Sequence, residues 1–185
     1  MNRLLLLMAS LPYEPPAPRP PDMVRMPVDD EVWFGNKITD TNSGAIPATL
    51  VNKKRSVMDP TYGMLEYVPV YNGTGGTLAA NAPVSWKTGT TTGEIVASTA
   101  DDPAVKGAGL LEVALATGYW GWACRYGTHA YTADEAIAAD APLQVGSTAG
   151  SMKDTAAAGI EHCLWGCSVA ACNDTETGYM RLRLP

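Results

Sequence analysis

The sequence predicts an all-β protein: a small barrel or sandwich with an internal pseudo-duplication, preceded by an extended, Pro-rich N-terminal arm. Three observations carry this expectation. The first is a repeat. Leu78-Ala79-Ala80-Asn81-Ala82-Pro83-Val84-Ser85-Trp86 is echoed by Ile137-Ala138-Ala139-Asp140-Ala141-Pro142-Leu143-Gln144-Val145. Gly109-Leu110-Leu111-Glu112-Val113-Ala114 is echoed by Gly166-Cys167-Ser168-Val169-Ala170-Ala171, at a nearly constant offset. Each copy passes a turn, Thr92-Gly93 or Ala149-Gly150, and ends on a Gly-Tyr strand, Gly118-Tyr119-Trp120 or Gly178-Tyr179-Met180. The small drift in offset fits a longer loop in the second copy, over 172–177. Self-similarity at a fixed period dictates how a fold is assembled, here from two like β units. The second observation is composition: Gly 18, Pro 14 and frequent Thr and Ala suit short strands better than helices. The third is the run Pro12-Tyr13-Glu14-Pro15-Pro16-Ala17-Pro18-Arg19-Pro20-Pro21, which excludes helix and central strand. It leaves polyproline II, at ~3 Å per residue.

The chain divides into three regions: residues 1–27, an extended N-terminal arm; 28–76, a β-rich linker region; and 77–185, a pseudo-duplicated β-barrel domain. Met1-Asn2-Arg3-Leu4-Leu5-Leu6-Leu7-Met8-Ala9-Ser10 has one positive charge and an apolar run, but no A-x-A site follows and Pro12 arrives at once. It reads as the apolar tip of an arm rather than as a signal peptide, and it is too short to span a membrane. The arm is expected to dock on another subunit or partner, because a spacer that is already extended loses less entropy on docking than a flexible tail. Folding back onto its own domain is the alternative. Leu4, Leu5, Leu6, Leu7 and Tyr13, with Trp33 and Phe34 just beyond, form the candidate partner interface.

In the linker region Glu31-Val32-Trp33-Phe34, Pro47-Ala48-Thr49-Leu50-Val51 and Leu65-Glu66-Tyr67-Val68-Pro69-Val70-Tyr71 read as strands, with Pro69 pointing to an edge position. Asp59-Pro60-Thr61-Tyr62-Gly63 is a turn by its chemistry, and Asn72-Gly73 is a hairpin signal. In the barrel domain, residues 83–87 and 94–98 are strands. Residues 109–115 and 119–126 form a hairpin across Ala116-Thr117-Gly118. Trp120, Trp122 and Cys124 alternate with Gly121 and Ala123, the mark of a sheet with one packed face. In the closing strand Met180, Leu182 and Leu184 point in while Arg181 and Arg183 point out. Thr132-Ala133-Asp134-Glu135-Ala136-Ile137 is the one helical candidate, with Thr132 as N-cap. Two short antiparallel units rarely stand alone; packed together they close into a small barrel or sandwich and lose their exposed edges.

At 185 residues and 46% hydrophobic, the chain builds one ordinary domain, or a small domain with an extension. Its one Phe, five Trp and eight Tyr favour amphipathic rings at core edges and interfaces. A net charge of −6 argues against nucleic acid, which wants clustered Lys and Arg. Lys53-Lys54-Arg55 is the single basic run, expected on a solvated loop or strand edge, or against an acidic protein partner.

No catalytic constellation emerges, so the chain is not expected to be an enzyme. His129 and His162 are the only histidines. His162-Cys163 suggests a thiol and its base, but neighbours on a strand point to opposite faces. Asp101-Asp102 and Asp29-Asp30-Glu31 offer paired carboxylates for glycan hydrolysis, yet both runs read as solvated turns. There is no Gly-x-Ser-x-Gly elbow, phosphate loop or dinucleotide fingerprint. Cys124, Cys163, Cys167 and Cys172 lack the paired spacing of a structural zinc site. They read as small buried hydrophobes, with disulfides left open. No metal or cofactor is expected. A carbohydrate-binding module is the rival reading, with Trp120, Trp122, Tyr126 and Tyr131 as stacking rings. Exposure separates the two, since a sugar needs rings that face solvent.

The segment from Thr77 to Pro185, more than half of the chain, resembles the small β-barrel head proteins of tailed bacteriophages, the decoration or cement proteins. The matching stretches are Leu78-Ala79-Ala80-Asn81-Ala82-Pro83-Val84, Gly107-Ala108-Gly109-Leu110-Leu111-Glu112-Val113-Ala114-Leu115, and Gly118-Tyr119-Trp120-Gly121-Trp122-Ala123-Cys124-Arg125-Tyr126-Gly127. Ala136-Ile137-Ala138-Ala139-Asp140-Ala141-Pro142-Leu143 and Met180-Arg181-Leu182-Arg183-Leu184 complete them. The resemblance implies a structural virion protein on the outer capsid surface, assembled in the host cytoplasm. It implies the major capsid protein and further copies of itself (a homodimer or homotrimer) as partners, with no nucleic acid or membrane.

Overall fold

The computed structural model describes residues 37–90, 93–99, 106–155 and 165–185, and the backbone of 32–34. The arm, with Leu4, Leu5, Leu6, Leu7 and Tyr13, lies outside the described residues. So do Asp29-Asp30-Glu31, Asp101-Asp102, His162 and Cys163.

The fold is all-β, as the sequence predicts. Its strands are β1 (Val32–Phe34), β2 (Asn42–Ser43), β3 (Arg55–Asp59), β4 (Gly63–Asn72), β5 (Pro83–Trp86), β6 (Glu94–Ala97), β7 (Gly107–Leu111), β8 (Tyr119–Thr132), β9 (Pro142–Val145), β10 (Met152–Asp154), β11 (Gly166–Ser168) and β12 (Thr177–Arg183). They pair in the order β1-β3-β4-β6-β5-β7-β8-β12-β11-β9-β10, with β2 on β8 and a further β4–β8 pairing. That last pairing bends the sheet back on itself. The first unit runs β4-β6-β5-β7-β8 and returns to β4. The second runs β8-β12-β11-β9-β10 and returns to the end of β8 through a parallel bridge from Ala133 to Met152. The long strand β8 closes one unit and opens the other, so the two barrel-like rings share a wall. The first unit thus takes in β4, upstream of the repeat that the sequence displays from Thr77.

The duplication is legible bond by bond. Leu110 faces Cys124 across β7 and β8, and Cys167 faces Arg181 across β11 and β12, both partners displaced by the same offset. Val84 pairs with Gly109 as Leu143 pairs with Gly166. Trp86 pairs with Ile95 as Val145 pairs with Met152. The bridge from Leu78 to Leu115 returns as Ile137 to Cys172. Loop bonds repeat as well: Ser98 N donates to the Pro83 carbonyl and Thr155 N to the Pro142 carbonyl, both at 3.0 Å.

Shared backbone demands explain the shared small residues. A Cβ on Gly109 would strike the Cys124 carbonyl, and one on Gly166 would strike the Arg181 carbonyl. Those are equivalent contacts, where neighbouring strands approach too closely for any side chain. Asn81 (φ 61°) and Asp140 (φ 56°) both adopt the left-handed conformation, which short polar side chains tolerate best after glycine.

Each ring has its own interior. Val68, Val70, Leu78, Val84, Ile95, Ala108, Leu111, Leu115 and Ala123 fill the first. The second is filled by Tyr131, Ile137, Leu143, Val145, Met152, Trp165, Met180 and Leu182, part of a larger cluster. That cluster also takes in Ile38, Ile46, Val57 and Leu65, which lie with Leu110, Trp120, Trp122 and Cys124 on the first unit's outer side. In β12 burial alternates strictly, with Gly178, Met180 and Leu182 inside and Tyr179, Arg181 and Arg183 outside.

Several local expectations change. Thr132-Ala133-Asp134-Glu135-Ala136-Ile137 is not a helix: Thr132 ends β8, and Ala133 and Ile137 are bridge residues. The pairing demands of the second ring outweigh a weak helical preference. Asn72-Gly73 does not turn a hairpin. Asn72 is fully buried, and its amide nitrogen donates to the carbonyls of Gly76 and Leu115, holding a loop that leads away from β4. Pro69 sits inside β4, buried, opposite Trp122. On its other side β3 pairing stops at Tyr67 and β6 pairing starts at Tyr71, so the strand has a local gap there. Gly118 corresponds to Thr175, not to Gly178. The Gly118 amide donates to the Asn72 carbonyl and the Thr175 amide to the Ala133 carbonyl, so the second copy gains no longer loop.

Candidate interaction surface

Two polar or exposed features stand out, and they occupy opposite situations in the two units. The first is a covered network. Glu112, just past β7, accepts a hydrogen bond from the Tyr67 hydroxyl at 2.7 Å and pairs with Lys37 Nζ at 3.1 Å. His129 Nε2 lies 3.2 Å from the same carboxylate but off the axis of a well-formed hydrogen bond. Burial alone would raise the Glu112 pKa. His129, Tyr67 and Lys37 overcome it and bring the group down to about 2. Burial, reinforced by the Glu112 charge, pushes the Tyr67 phenol far up and the Cys124 thiol up to about 12. Lys37 also sits 4.2 Å above the Tyr62 ring. The network therefore ties four places together: the segment before β2, strand β4, the loop after β7, and strand β8.

The second feature is a groove of about 500 Å³ on the outer face of the second unit, lined by Tyr62, Met64, Tyr126, Thr128, Cys167, Arg181, Arg183 and nearby backbone. The register builds it. Arg183 lies opposite Tyr126, Arg181 lies between Thr128 and Cys167, and Tyr179 lies opposite Ala130. Tyr62, on the turn before β4, reaches over and stacks on Tyr179 at 6.1 Å and 18°. That turn is held by Asp59, whose Oδ1 accepts from the amides of Thr61 and Tyr62. Hydrogen bonding with the Tyr179 hydroxyl raises the Tyr62 pKa.

The residues singled out from sequence fall as follows. Trp33 and Phe34 lie in β1, which pairs in parallel with β3. Trp120 and Trp122 are buried, edge to face at 6.1 Å, and Tyr131 is fully buried; of the four candidate sugar-stacking rings only Tyr126, 48% exposed, faces solvent. Of the basic run, Lys54 pairs with Glu66 at 2.9 Å and Arg55 lies 4.6 Å over the Trp122 ring. Its guanidinium is part of a packed side, not of an open patch. Cys124, Cys167 and Cys172 carry free thiols, and the Tyr131 hydroxyl lies 3.3 Å from Cys172 Sγ. Sequence reasoning missed Tyr62, Met64 and Tyr179 as surface residues. The in-out alternation around Arg181 and Arg183 was the signal for Tyr179; nothing local marks Tyr62 or Met64, which reach the face through the fold.

No protein-family model matches the chain, and no curated protein does. Among solved structures it is similar to the head fiber gp8.5 N base in bacteriophage phi29, at 12% identity and a TM-score of 0.49, over 64% of this chain and 94% of that one.

Proposed function

We propose that the chain is a structural virion protein that decorates and stabilises a phage capsid by binding major capsid protein subunits. The observation that carries this reading is where the polar chemistry sits. Glu112 is locked under Lys37, Tyr67 and His129, with its side chain 6% exposed, and does not line the groove. The groove's own lining holds tyrosines, arginines, a threonine and a thiol, but no carboxylate or imidazole to move a proton. Such an arrangement stiffens a scaffold and presents a surface, which supports a binding role over a catalytic one. The sequence resemblance of residues 77–185 to decoration proteins supplies the kind of scaffold. The sugar-binding alternative loses support from the burial of Trp120, Trp122 and Tyr131.

The test is co-sedimentation of the full chain with undecorated heads. Saturable binding at a fixed copy number per capsid subunit is the expected result, and absence of binding by folded protein overturns the reading. Removing residues 1–27 is expected to weaken head binding at least tenfold while the near-UV circular dichroism of the β body stays the same. A truncated protein that binds with full affinity removes the arm from the interface.

A further inference from the structure

We propose that the outer face of the second unit binds an extended, acidic segment of a partner polypeptide, added beside β12 as β2 is added beside β8. The argument comes from the internal duplication. In the first unit the outer face carries Trp120, Trp122 and Cys124, and all three are buried. What covers them comes from upstream in the chain: Ile38 and Ile46 pack into the same cluster, and β2 pairs with the start of β8, Asn42 opposite Trp120 and Ser43 opposite Tyr119. Gly44 N extends this by donating to the Gly118 carbonyl at 2.8 Å.

The equivalent positions in the second unit, at the offset that relates Cys124 to Arg181, are Thr177, Tyr179 and Arg181. Thr177 and Gly178 pair with β8 on one side; on the other, β11 pairs from Met180 onward and Val169 N donates to the Tyr179 carbonyl at 2.7 Å, so the edge opens at Thr177. No described segment takes the place of β2 beside Glu176 and Thr177. The face is correspondingly bare. Four of the five large apolar side chains exposed among the described residues, Met64, Tyr126, Val169 and Tyr179, lie on it or at its rim. Clustered exposed apolar groups beside an open strand edge are the features of strand addition.

Charge selects the occupant. Arg181 and Arg183 are exposed and form no ion pair among the described residues, and no Asp or Glu lines the groove. This occurs in a chain with 19 acidic and 13 basic side chains. A segment that carries apolar residues and carboxylates on one face, at every second position, lays both on the outer face of β12, the apolar groups on Tyr126, Tyr179 and Met64 and the carboxylates on the two guanidinium forks.

The inference rests on the partner-binding reading above, and two experiments keep the two apart. The first titrates the full chain with a labelled twelve-residue peptide of repeating Val-Ser-Glu-Ser, which puts Val and Glu on one face, by fluorescence anisotropy, against its Val-Ser-Lys-Ser counterpart. Saturable binding of the acidic peptide, at least tenfold stronger than the basic one, is expected, falling at least tenfold in Arg181→Glu/Arg183→Glu and severalfold in Tyr179→Ala. The Thr177 amide, which faces the open edge, is expected to gain hydrogen-exchange protection in the complex, while the Gly178 amide, turned toward β8, is not. Equal binding of the two peptides, or binding untouched by the substitutions, overturns the proposal. So does a concentration-dependent dimer that Arg181→Glu/Arg183→Glu dissolves, which gives the face to a second copy. The second experiment repeats head co-sedimentation with Arg181→Glu/Arg183→Glu. Binding by the wild type and at least tenfold weaker binding by the variant is the expected result. Equal binding by both overturns this surface while leaving the capsid reading intact; failure of the wild type overturns the capsid reading, and the peptide titration then decides the surface alone.

Discussion

The two rings share a backbone plan and differ in what their faces meet. Where the first unit has Trp120, Trp122 and Cys124 beneath a covering segment, the second has Thr177, Tyr179 and Arg181 open to solvent. Glu112, buried under Lys37, corresponds to the exposed Val169. The interiors are rewritten too. Trp165, just before Gly166, stands in the place of Ala108, just before Gly109. Across the register of β4 on β8 and β8 on β12, Val70 and Leu115 give way to Tyr131 and Cys172, one side chain growing as its neighbour shrinks. The difference teaches that pairing geometry fixes the glycines and turns, while the neighbours of each face decide the rest.

The largest break in the comparison is expected at Trp165. It is fully buried, and Ala108 shows that the backbone at this position needs no ring. Trp165→Ala removes a large side chain from a packed interior, so urea unfolding is expected to show a loss of about 3–5 kcal/mol. Its indole nitrogen has no hydrogen-bond partner, so no polar bond is lost with it. A loss below about 1 kcal/mol means that the second ring is not packed around this residue.

Next comes Glu112, whose counterpart in the second unit, Val169, carries no charge. Its folded pKa, about 2, lies below the ordinary carboxylate value of 4.5. A depressed pKa gives stability that is present above the unfolded value and lost as pH falls through the folded one. Stability is therefore expected to decline between about pH 4.5 and pH 2, by the order of 3 kcal/mol from this group. Glu112→Gln is expected to flatten that part of the curve and to cost a comparable amount at neutral pH, since Lys37 loses its buried counter-charge. An acid limb of unchanged slope in the variant assigns acid sensitivity to other carboxylates.

The glycine pair probes what the units share. Gly109→Ala and Gly166→Ala each place a Cβ against a neighbouring carbonyl, and each is expected to cost about 2–3 kcal/mol. Similar losses support one common close approach. Tolerance at one site alone shows that the two rings relax differently.

How much of this was legible follows from which residues are constrained locally. The duplication was readable because close strand approach forces Gly109 and Gly166, and left-handed turns favour Asn81 and Asp140, wherever the plan is used. The in-out pattern of β12 was readable because Met180 and Leu182 face a core while Arg181 and Arg183 do not. The alternation around Trp120 and Trp122 marked a packed face but not what packs on it, because their cover comes from Ile38, Ile46 and Arg55, distant in sequence. The groove was invisible for the same reason: Tyr62 reaches Tyr179 only once β4 is paired to β8.

The smallest expected effect is a gain. Gly118 and Thr175 hold the same turn, with φ of 77° and 61°. A β-branched residue there carries the left-handed penalty of about 1–2 kcal/mol that glycine avoids. Thr175 is exposed, and its hydroxyl donates only to the neighbouring Asp174 carbonyl, so little else is lost with the side chain. Thr175→Gly relieves the strain but adds freedom to the unfolded chain, an offset of roughly 0.5–1 kcal/mol. The net expectation is a stabilisation of about 0.5–1 kcal/mol, read as a melting rise of about 1–4 °C. The reverse change in the first unit, Gly118→Thr, meets nothing in space, since no atom lies within 4 Å of the added Cβ. It is expected to lose about the same amount through φ alone. A stabilising Thr175→Gly beside a destabilising Gly118→Thr places the shared register at this turn. A neutral pair of results separates the turns and returns Gly118 to its sequence partner, Gly178.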